Sequence, residues 1–161
     1  MSKSARWFAA AAAIVLLDQL TKWLVLGRFA VGERVELTSF FNMVLVFNKG
    51  AAFSFLAAAP GWQTPLLAAF ALGAALVVSV LLLRSPERRM LCAGLALILG
   101  GAVGNLVDRL RFGQVVDFLD FHAAGWHWPA FNVADSAITV GAALLILDGL
   151  RRHERRAGAP S

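Results

Sequence analysis

Charged residues are scarce in this sequence of 161 residues: Asp, Glu, Lys and Arg together make up 16%, whereas soluble domains carry about 25%. Apolar residues reach 59%, above the about 45–50% of soluble domains, and the mean hydropathy is +0.69. Because water cannot solvate a surface with so few charges, the composition predicts a protein whose solvent is lipid. 

The residues of metal and nucleophile chemistry are also scarce. The single cysteine, Cys92, lies in an apolar run, which excludes a disulfide framework and a thiolate metal site. No His-Glu-x-x-His pair is present, and His122 and His127 are five apart, a poor spacing for one helical face. Ser54 and Ser136 have no evident histidine or lysine partner. We therefore expect no metal, no cofactor and no serine nucleophile.

The net charge of +5 and a pI near 10.7 are compatible with nucleic-acid binding. The basic residues, however, form short clusters between long apolar runs, as membrane-topology signals do. We therefore expect no nucleic-acid partner.

Four segments approach the roughly 20 apolar residues that a helix needs to cross a bilayer, namely residues 7–27, 66–83, 90–107 and 133–150. They predict an all-α membrane protein with four transmembrane helices, in a single polytopic domain over residues 1–161. Asp18 and Lys22 interrupt the first segment, and no small-x-small cleavage site follows it, so we interpret it as a retained helix. The alternative, removal of this helix, would leave three spans and put the termini on opposite sides.

Basic clusters precede the first helix, separate the second from the third, and follow the fourth. With four spans these clusters share one side of the membrane, and the positive-inside rule makes that side cytoplasmic. Both termini are then cytoplasmic, and residues 28–65 and 108–132 face outward. Trp23, Trp62, Trp126 and Trp128 fall at the outer level, where amphipathic rings are favoured.

The first outer segment predicts strands. Residues 35–47 are rich in β-branched and aromatic types, Asn48, Lys49 and Gly50 supply turn chemistry, and residues 51–55 resume an extended pattern. We expect a small β-sheet on the outer membrane surface.

The predicted topology brings the polar residues of the spans to one outer layer. They are Asp18, Thr21, Lys22, Gly104, Asn105, Asp108, Arg109, Asn132 and Asp135. Charged groups at this depth cost several kcal/mol unless they are paired or face water. A layer of charged groups therefore predicts a functional site. Asp148 is the one ionisable residue of the predicted spans that lies outside this layer.

Structural roles remain open for most of this layer. Asp18 and Lys22 are four residues apart and can neutralise each other. Asp108 ends a helix, where its charge opposes the dipole, and the neighbouring Arg109 can compensate for it. Asn105 can join helices by hydrogen bonds.

The remaining acids lie between the end of the third predicted helix and the first turn of the fourth. Asn132 and Asp135 have the spacing of a helix cap with an acid at its third position. Asp117 is a lone acid in a short apolar β-like run, where a strand has no need of it, and Asp120 is expected to be exposed. Two carboxylates are thus the best-supported catalytic groups. A proton-coupled transporter would need ionisable groups through the midplane or inner half, and a purely structural bundle leaves Asp117 unexplained.

Five blocks of this sequence resemble, in order, the motifs of bacterial lipoprotein signal peptidase, also called signal peptidase II. They are residues 18–22 (DQLTK), 48–54 (NKGAAFS), 101–109 (GAVGNLVDR), 115–118 (VVDF) and 131–136 (FNVADS). The resemblance spans nearly the whole chain and implies an aspartic endopeptidase of the bacterial cytoplasmic membrane. We expect a monomer. 

The resemblance also implies the substrates and the site. The substrates are prolipoproteins cut just before a cysteine that carries diacylglycerol, with membrane lipids as the surroundings. The catalytic dyad is Asp117 and Asp135, on the periplasmic side beside a small β-cradle. The substrate-binding or orienting residues are Asn48, Gly104, Asn105, Asp108, Arg109 and Asn132. Asp18 and Lys22 give structural support.

Overall fold

Four helices dominate the computed structural model, which describes residues 3–50 and 61–157. They are α1 (Ala5–Leu26), α2 (Gln63–Arg84), α3 (Arg89–Phe112) and α4 (Val133–Ala157). Each contains a stretch long and apolar enough to cross a membrane. The four predicted spans are confirmed, and the two later helices run farther than hydropathy indicated, α3 to Phe112 and α4 to Ala157.

The helix ends follow local chemistry. Pro65 lies in the first turn of α2, where its missing N–H would have had no partner within the helix. Gly113 ends α3 with a φ of 70°, a left-handed conformation that glycine adopts without strain, and its N–H donates to the Arg109 carbonyl at 3.0 Å.

The segments that precede α2 and follow α3 form one antiparallel sheet. Its strands are β1 (Arg34–Thr38), β2 (Phe41–Asn48), β3 (Val115–Ala123) and β4 (Trp126–His127), in the spatial order β1-β2-β3-β4. The predicted strands over 35–47 are confirmed as β1 and β2, whereas the extended pattern of 51–55 lies outside the described residues. Since β2 precedes α2 and β3 follows α3, the sheet ties together segments far apart in sequence.

Helix α3 lies at the centre of the bundle and packs against the other three helices. Its glycines permit close approach: a Cβ added at Gly101 would lie 2.4 Å from the Ala134 carbonyl oxygen, and one at Gly94 would lie 2.8 Å from that of Gly141. One apolar cluster, which includes Ala11, Leu82 and Leu95, fills one end of the bundle. A second cluster lies under the sheet, and the polar layer occupies the level between them.

The bundle end opposite the sheet collects basic side chains. Lys3 pairs with Glu87 at 2.6 Å, and Arg6 donates to the Pro86 carbonyl at 3.3 Å. Arg88 forms an ion pair with Asp148. The start of α1, the α2–α3 turn and the end of α4 therefore meet at one end of the molecule.

Candidate active site

The buried ammonium of Lys22 is the centre of the polar layer. Its Nζ atom lies 2.8 Å from a carboxylate oxygen of Asp18 and 2.8 Å from one of Asp108. Lys22 is 2% exposed, and both acids are fully buried. Because isolated buried charges are costly, the lysine and the two acids stabilise one another only as a set.

The two acids also fix the neighbouring elements. An Asp18 oxygen accepts the backbone N–H of Ala134, at the start of α4, at 2.9 Å. An Asp108 oxygen accepts the N–H of Val116, in β3, at 3.0 Å. Each carboxylate therefore satisfies a backbone donor while it pairs with Lys22.

The expected pairing of Asp18 with Lys22 is confirmed, but Arg109 does not compensate for Asp108 as the sequence suggested. The Arg109 guanidinium instead donates to the carbonyls of Asn105 at 3.3 Å and Gly50 at 3.2 Å. Adjacent residues on a helix point in different directions, so the cation that neutralises Asp108 comes from α1.

Asn132 and Asp135 form the predicted cap of α4. The Asn132 side-chain oxygen accepts the Asp135 N–H at 2.9 Å, and the Asp135 carboxylate accepts the Asn132 N–H at 3.3 Å. This reciprocal pair is a capping box. Asp135 is only half-buried, and its other oxygen accepts the Asn105 amide at 2.7 Å, so capping does not account for all of its contacts.

Asp117 enters the same site from β3. One carboxylate oxygen accepts the Asn132 amide at 2.7 Å, and the other accepts the Asn48 amide at 3.1 Å. Burial raises the pKa of Asp117 to about 7, and the charge of Asp135 acts in the same direction. The amides of Asn48 and Asn132 oppose this shift only in part, so Asp117 keeps its proton to a higher pH than an ordinary aspartate does.

The two acids of the predicted dyad are therefore electrostatically coupled and share a neighbour. Asn132 donates from its side chain to Asp117 and from its backbone to Asp135. Two such carboxylates readily share one proton, because close like charges resist joint ionisation. The arrangement can supply an acid and a base to one reacting group.

Gly104 has a steric role at this level. A Cβ at this position would lie 2.7 Å from an Asp18 carboxylate oxygen, which is too close for any other residue without a shift. The glycine thus lets α1 bring its buried acid against α3.

The sequence reasoning missed Gln19. Its amide nitrogen lies 2.9 Å from an Asp108 oxygen, 3.2 Å from an Asp18 oxygen and 3.2 Å from the Gly104 carbonyl. The available signal was a second polar side chain beside Asp18 in a membrane span, which needs a partner as much as a charge does.

The expectation that Asp120 is exposed is wrong, since it is 3% exposed. The Asn42 amide donates to it at 2.9 Å, and His127 Nδ1 lies 2.8 Å away. Burial alone would raise the pKa of Asp120, but these contacts and the charge of Arg34 hold it below its usual range. The β3–β4 hairpin covers this acid, and a hairpin contact is invisible in the hydropathy of the strand alone.

Among the described residues, no group of three His, Cys, Asp or Glu side chains is arranged to hold a metal ion. The rings of His122 and His127 stack at 4.9 Å between centroids. Their nitrogens contact Asn42 and Asp120, respectively, so both side chains have partners within the sheet.

Comparison with known proteins identifies the family. Residues 10–151 match the family model described as signal peptidase (SPase) II. A lipoprotein signal peptidase of Paraburkholderia phytofirmans is 60% identical over 148 residues, which cover 92% of this chain and 86% of the relative. One of a Janthinobacterium species is 56% identical over 146 residues, covering 91% and 88%.

Solved structures agree in fold. A structure described as a bacterial membrane enzyme superposes with a TM-score of 0.85 at 25% identity, over 98% of this chain and 94% of the other. A second, described in the same words, gives 0.80 at 25% identity, over 91% and 93%. The four-helix architecture with its small sheet is therefore shared with solved membrane enzymes.

Proposed function

Since this chain belongs to the signal peptidase II family, we propose that it is an aspartic endopeptidase that cuts diacylglyceryl-modified prolipoproteins just before the lipidated cysteine. Family membership itself makes it a multi-pass membrane protease that removes signal peptides from prolipoproteins. The aspartic mechanism and the cleavage position are the finer steps of the proposal.

The observation that carries the mechanism is the coupling of Asp117 and Asp135 through Asn132. Both acids have hydrogen-bond donors on each oxygen. The helix N-terminus beside Asp135 favours an anion there, whereas the raised pKa of Asp117 favours its protonated form. Asp135 therefore acts as the base and Asp117 as the acid.

The reaction then follows from these two states. Asp135 takes a proton from a water molecule as the water oxygen bonds to the scissile carbonyl carbon, while Asp117 gives its proton to the carbonyl oxygen. When the tetrahedral intermediate collapses, the C–N bond breaks, Asp135 passes its proton to the departing amine, and Asp117 recovers its own. The orienting residues are Asn48, Asn105 and Asn132, whose amides hold the two carboxylates.

The remaining candidate residues support this site from outside the acid pair. Arg109 holds the carbonyl of Gly50, next to the turn that carries Asn48. Asp108 ties β3 to the lysine cluster, and Gly104 makes room for Asp18. Among the described strands, β1 is an edge strand with every residue exposed. An extended substrate could pair with that edge by strand addition.

We propose that the sheet and the site face the periplasm and that both termini are cytoplasmic, in the bacterial inner membrane. Support comes from the basic side chains gathered at the end opposite the sheet and the positive-inside rule. The retained first helix is supported by its burial of Asp18 and Lys22 against α3 and α4. The chain is proposed to act as a monomer.

Membrane lipids are the proposed surroundings of the sheet as well. An apolar hollow of about 420 Å³ opens near the β3–β4 hairpin. Its lining includes Phe40, Phe121, Trp126, Trp128 and Phe131. The amphipathic rings of Trp126 and Trp128 are of the kind favoured at the headgroup level.

The test is cleavage of a diacylglyceryl-modified prolipoprotein peptide by purified variants, with mass spectrometry of the products. Asp117→Asn and Asp135→Asn should each abolish turnover, because each removes a titrating carboxylate. Asp120→Asn is the matched control: it changes another buried acid of β3 that contacts Asn42 and His127 rather than the acid pair.

The control should retain turnover per folded molecule, with folding followed by the melting temperature in detergent. Substantial turnover by either dyad variant would disprove the two-aspartate mechanism. Products that begin elsewhere than at the lipidated cysteine would disprove the cleavage position.

A further inference from the structure

The buried ammonium of Lys22 has a third partner besides its two acids. Its Nζ atom donates to the side-chain oxygen of Asn105 at 3.1 Å. Asn105 in turn donates its amide to Asp135 at 2.7 Å. A continuous chain of two hydrogen bonds therefore runs from Lys22 to one member of the acid pair.

The ammonium decides which way the Asn105 amide faces. A lysine ammonium has donors and no acceptor, so the Asn105 atom beside it must be the oxygen. The same oxygen accepts the Asn132 amide at 3.2 Å. With its oxygen held by two donors, Asn105 can only present its NH₂ group to Asp135.

This orientation matters for the protonation of the pair. An NH₂ group stabilises an ionised Asp135, whereas an amide oxygen in its place would stabilise a protonated one. Asn132 contributes less to the orientation than Lys22, because its single amide nitrogen is shared among three acceptors, Asn105, Asp117 and the Val116 carbonyl.

We propose that Lys22 is a positioning residue that, through Asn105, keeps Asp135 as the ionised member of the acid pair and leaves the proton on Asp117. The inference rests on the proposed function, and it goes beyond the structural support that the sequence indicated for Lys22. Within the described residues the lysine forms no ion pair with either acid of the pair. Its charge reaches Asp117 through space, and its hydrogen bond acts on Asp135 through the Asn105 amide.

The charged groups around Lys22 come from every element packed against it. They are Asp18 of α1, Asp108 and Arg109 of α3, Asp117 of β3 and Asp135 of α4. Removing the ammonium would leave Asp18 and Asp108 as uncompensated negative charges. Both limbs of the pH profile of cleavage should then move to higher pH, since negative charge favours the protonated forms of the pair.

The test measures kcat, KM and the pH profile of prolipoprotein-peptide cleavage for Lys22→Met and for the double variant Asp18→Asn/Lys22→Met. The double variant removes one stranded charge, and Asp108 keeps its donors from Gln19 and Val116, so it should fold better than the single variant. We expect both to lose about tenfold or more in kcat, with little change in KM. The limbs should shift to higher pH in Lys22→Met and by less in the double variant, where the loss of the Asp18 charge restores the net charge of the cluster.

Gln19→Leu is the matched control. Gln19 lies beside Asp18 on α1, and its side-chain amide contacts Asp18, Asp108 and the Gly104 carbonyl rather than Asn105. It should lower the melting temperature while the pH profile stays where it is. If the pH profile of cleavage does not move in either lysine variant, Lys22 has only a structural role. The same conclusion follows if Gln19→Leu moves the profile as far as Lys22→Met does.

A mutant cycle tests whether Lys22 acts through Asn105. In an Asn105→Ala background, Lys22→Met should cost less than about threefold further in kcat, because coupled residues are not additive. If the kcat losses of Lys22→Met and Asn105→Ala multiply in the double variant, Lys22 does not act through Asn105. Asp117→Asn and Asp135→Asn, measured alongside, separate the two proposals: activity in those variants overturns the aspartic mechanism, whereas failure of the lysine predictions alone leaves it standing.

Discussion

At the scale of single residues, the acids of this protein fall into distinct electrostatic classes. Asp18 and Asp108 are neutralised by Lys22, and Asp120 is held by an amide, an imidazole and an arginine. Asp117 is buried and accepts two amide donors, and no cation of the described residues forms an ion pair with it. A carboxylate held in this way is costly to ionise. This cost lowers the stability of the folded protein at neutral pH, but it keeps a proton available for acid catalysis.

This cost predicts a pH-dependent stability difference. The pKa of Asp117 is about 7 in the folded protein and about 3.9 in an unfolded chain. Because the folded pKa is the higher one, the stability from this group is fully present below about pH 4 and is lost as pH rises to about 7. Asp117→Asn should therefore gain in melting temperature relative to wild type between pH 5 and 8.

Asp120→Asn again gives the control for this measurement. The pKa of Asp120 lies below its usual range, so its stability contribution is lost only as pH falls below the usual aspartate range. With His127, the titratable partner of Asp120, replaced by Gln in both proteins, the melting difference between Asp120→Asn and its parent should stay level between pH 5 and 8. A level difference for Asp117→Asn as well would show that ionising Asp117 costs the folded protein nothing.

At the scale of elements, the position of α4 depends on how closely it packs against α3. Asp135 and Asn132 lie at the start of α4, and the Ala134 carbonyl of the same turn faces Gly101. A contact between two backbones, which involves no polar side chain, therefore helps to align the polar site.

This contact predicts the effect of one added methyl group. Gly101→Ala would put a Cβ 2.4 Å from the Ala134 carbonyl oxygen, so α4 must shift, at a cost of about 1–3 kcal/mol. We expect a lower melting temperature and a loss of turnover per folded molecule. Gly73→Ala in α2, whose added Cβ meets nothing within 4 Å, should leave both unchanged; equal behaviour of the two variants would contradict the packing argument.

At the scale of the whole molecule, the segregation of charge predicts its orientation in the membrane. In a Cys92→Ala background, a cysteine at Glu36, in β1, should react with a membrane-impermeant thiol reagent in intact spheroplasts. A cysteine at Glu87, in the α2–α3 turn, should react only after lysis. Both side chains are exposed. The reverse pattern would put the acid pair on the cytoplasmic side and contradict the proposed localisation.

Features that depend on local composition could be predicted from the amino-acid sequence. Hydropathy identified all four helices, because lipid requires about 20 apolar residues wherever a helix crosses it. The ion pair of Asp18 with Lys22 and the cap formed by Asn132 and Asp135 follow from spacings of four and three residues on one helix. The strands over 35–47 followed from β-branched and aromatic content.

Which of the polar residues contact one another could not be predicted in this way, because it depends on tertiary packing. In the folded protein Asp108 pairs with Lys22 rather than with the adjacent Arg109. Asp120 is buried under the β3–β4 hairpin. Tertiary packing also joins Asp117 of β3 to Asp135 of α4 through Asn132. The physical reason is that a buried polar group requires a partner without specifying which one, and the choice follows from how helices and strands distant in sequence pack together.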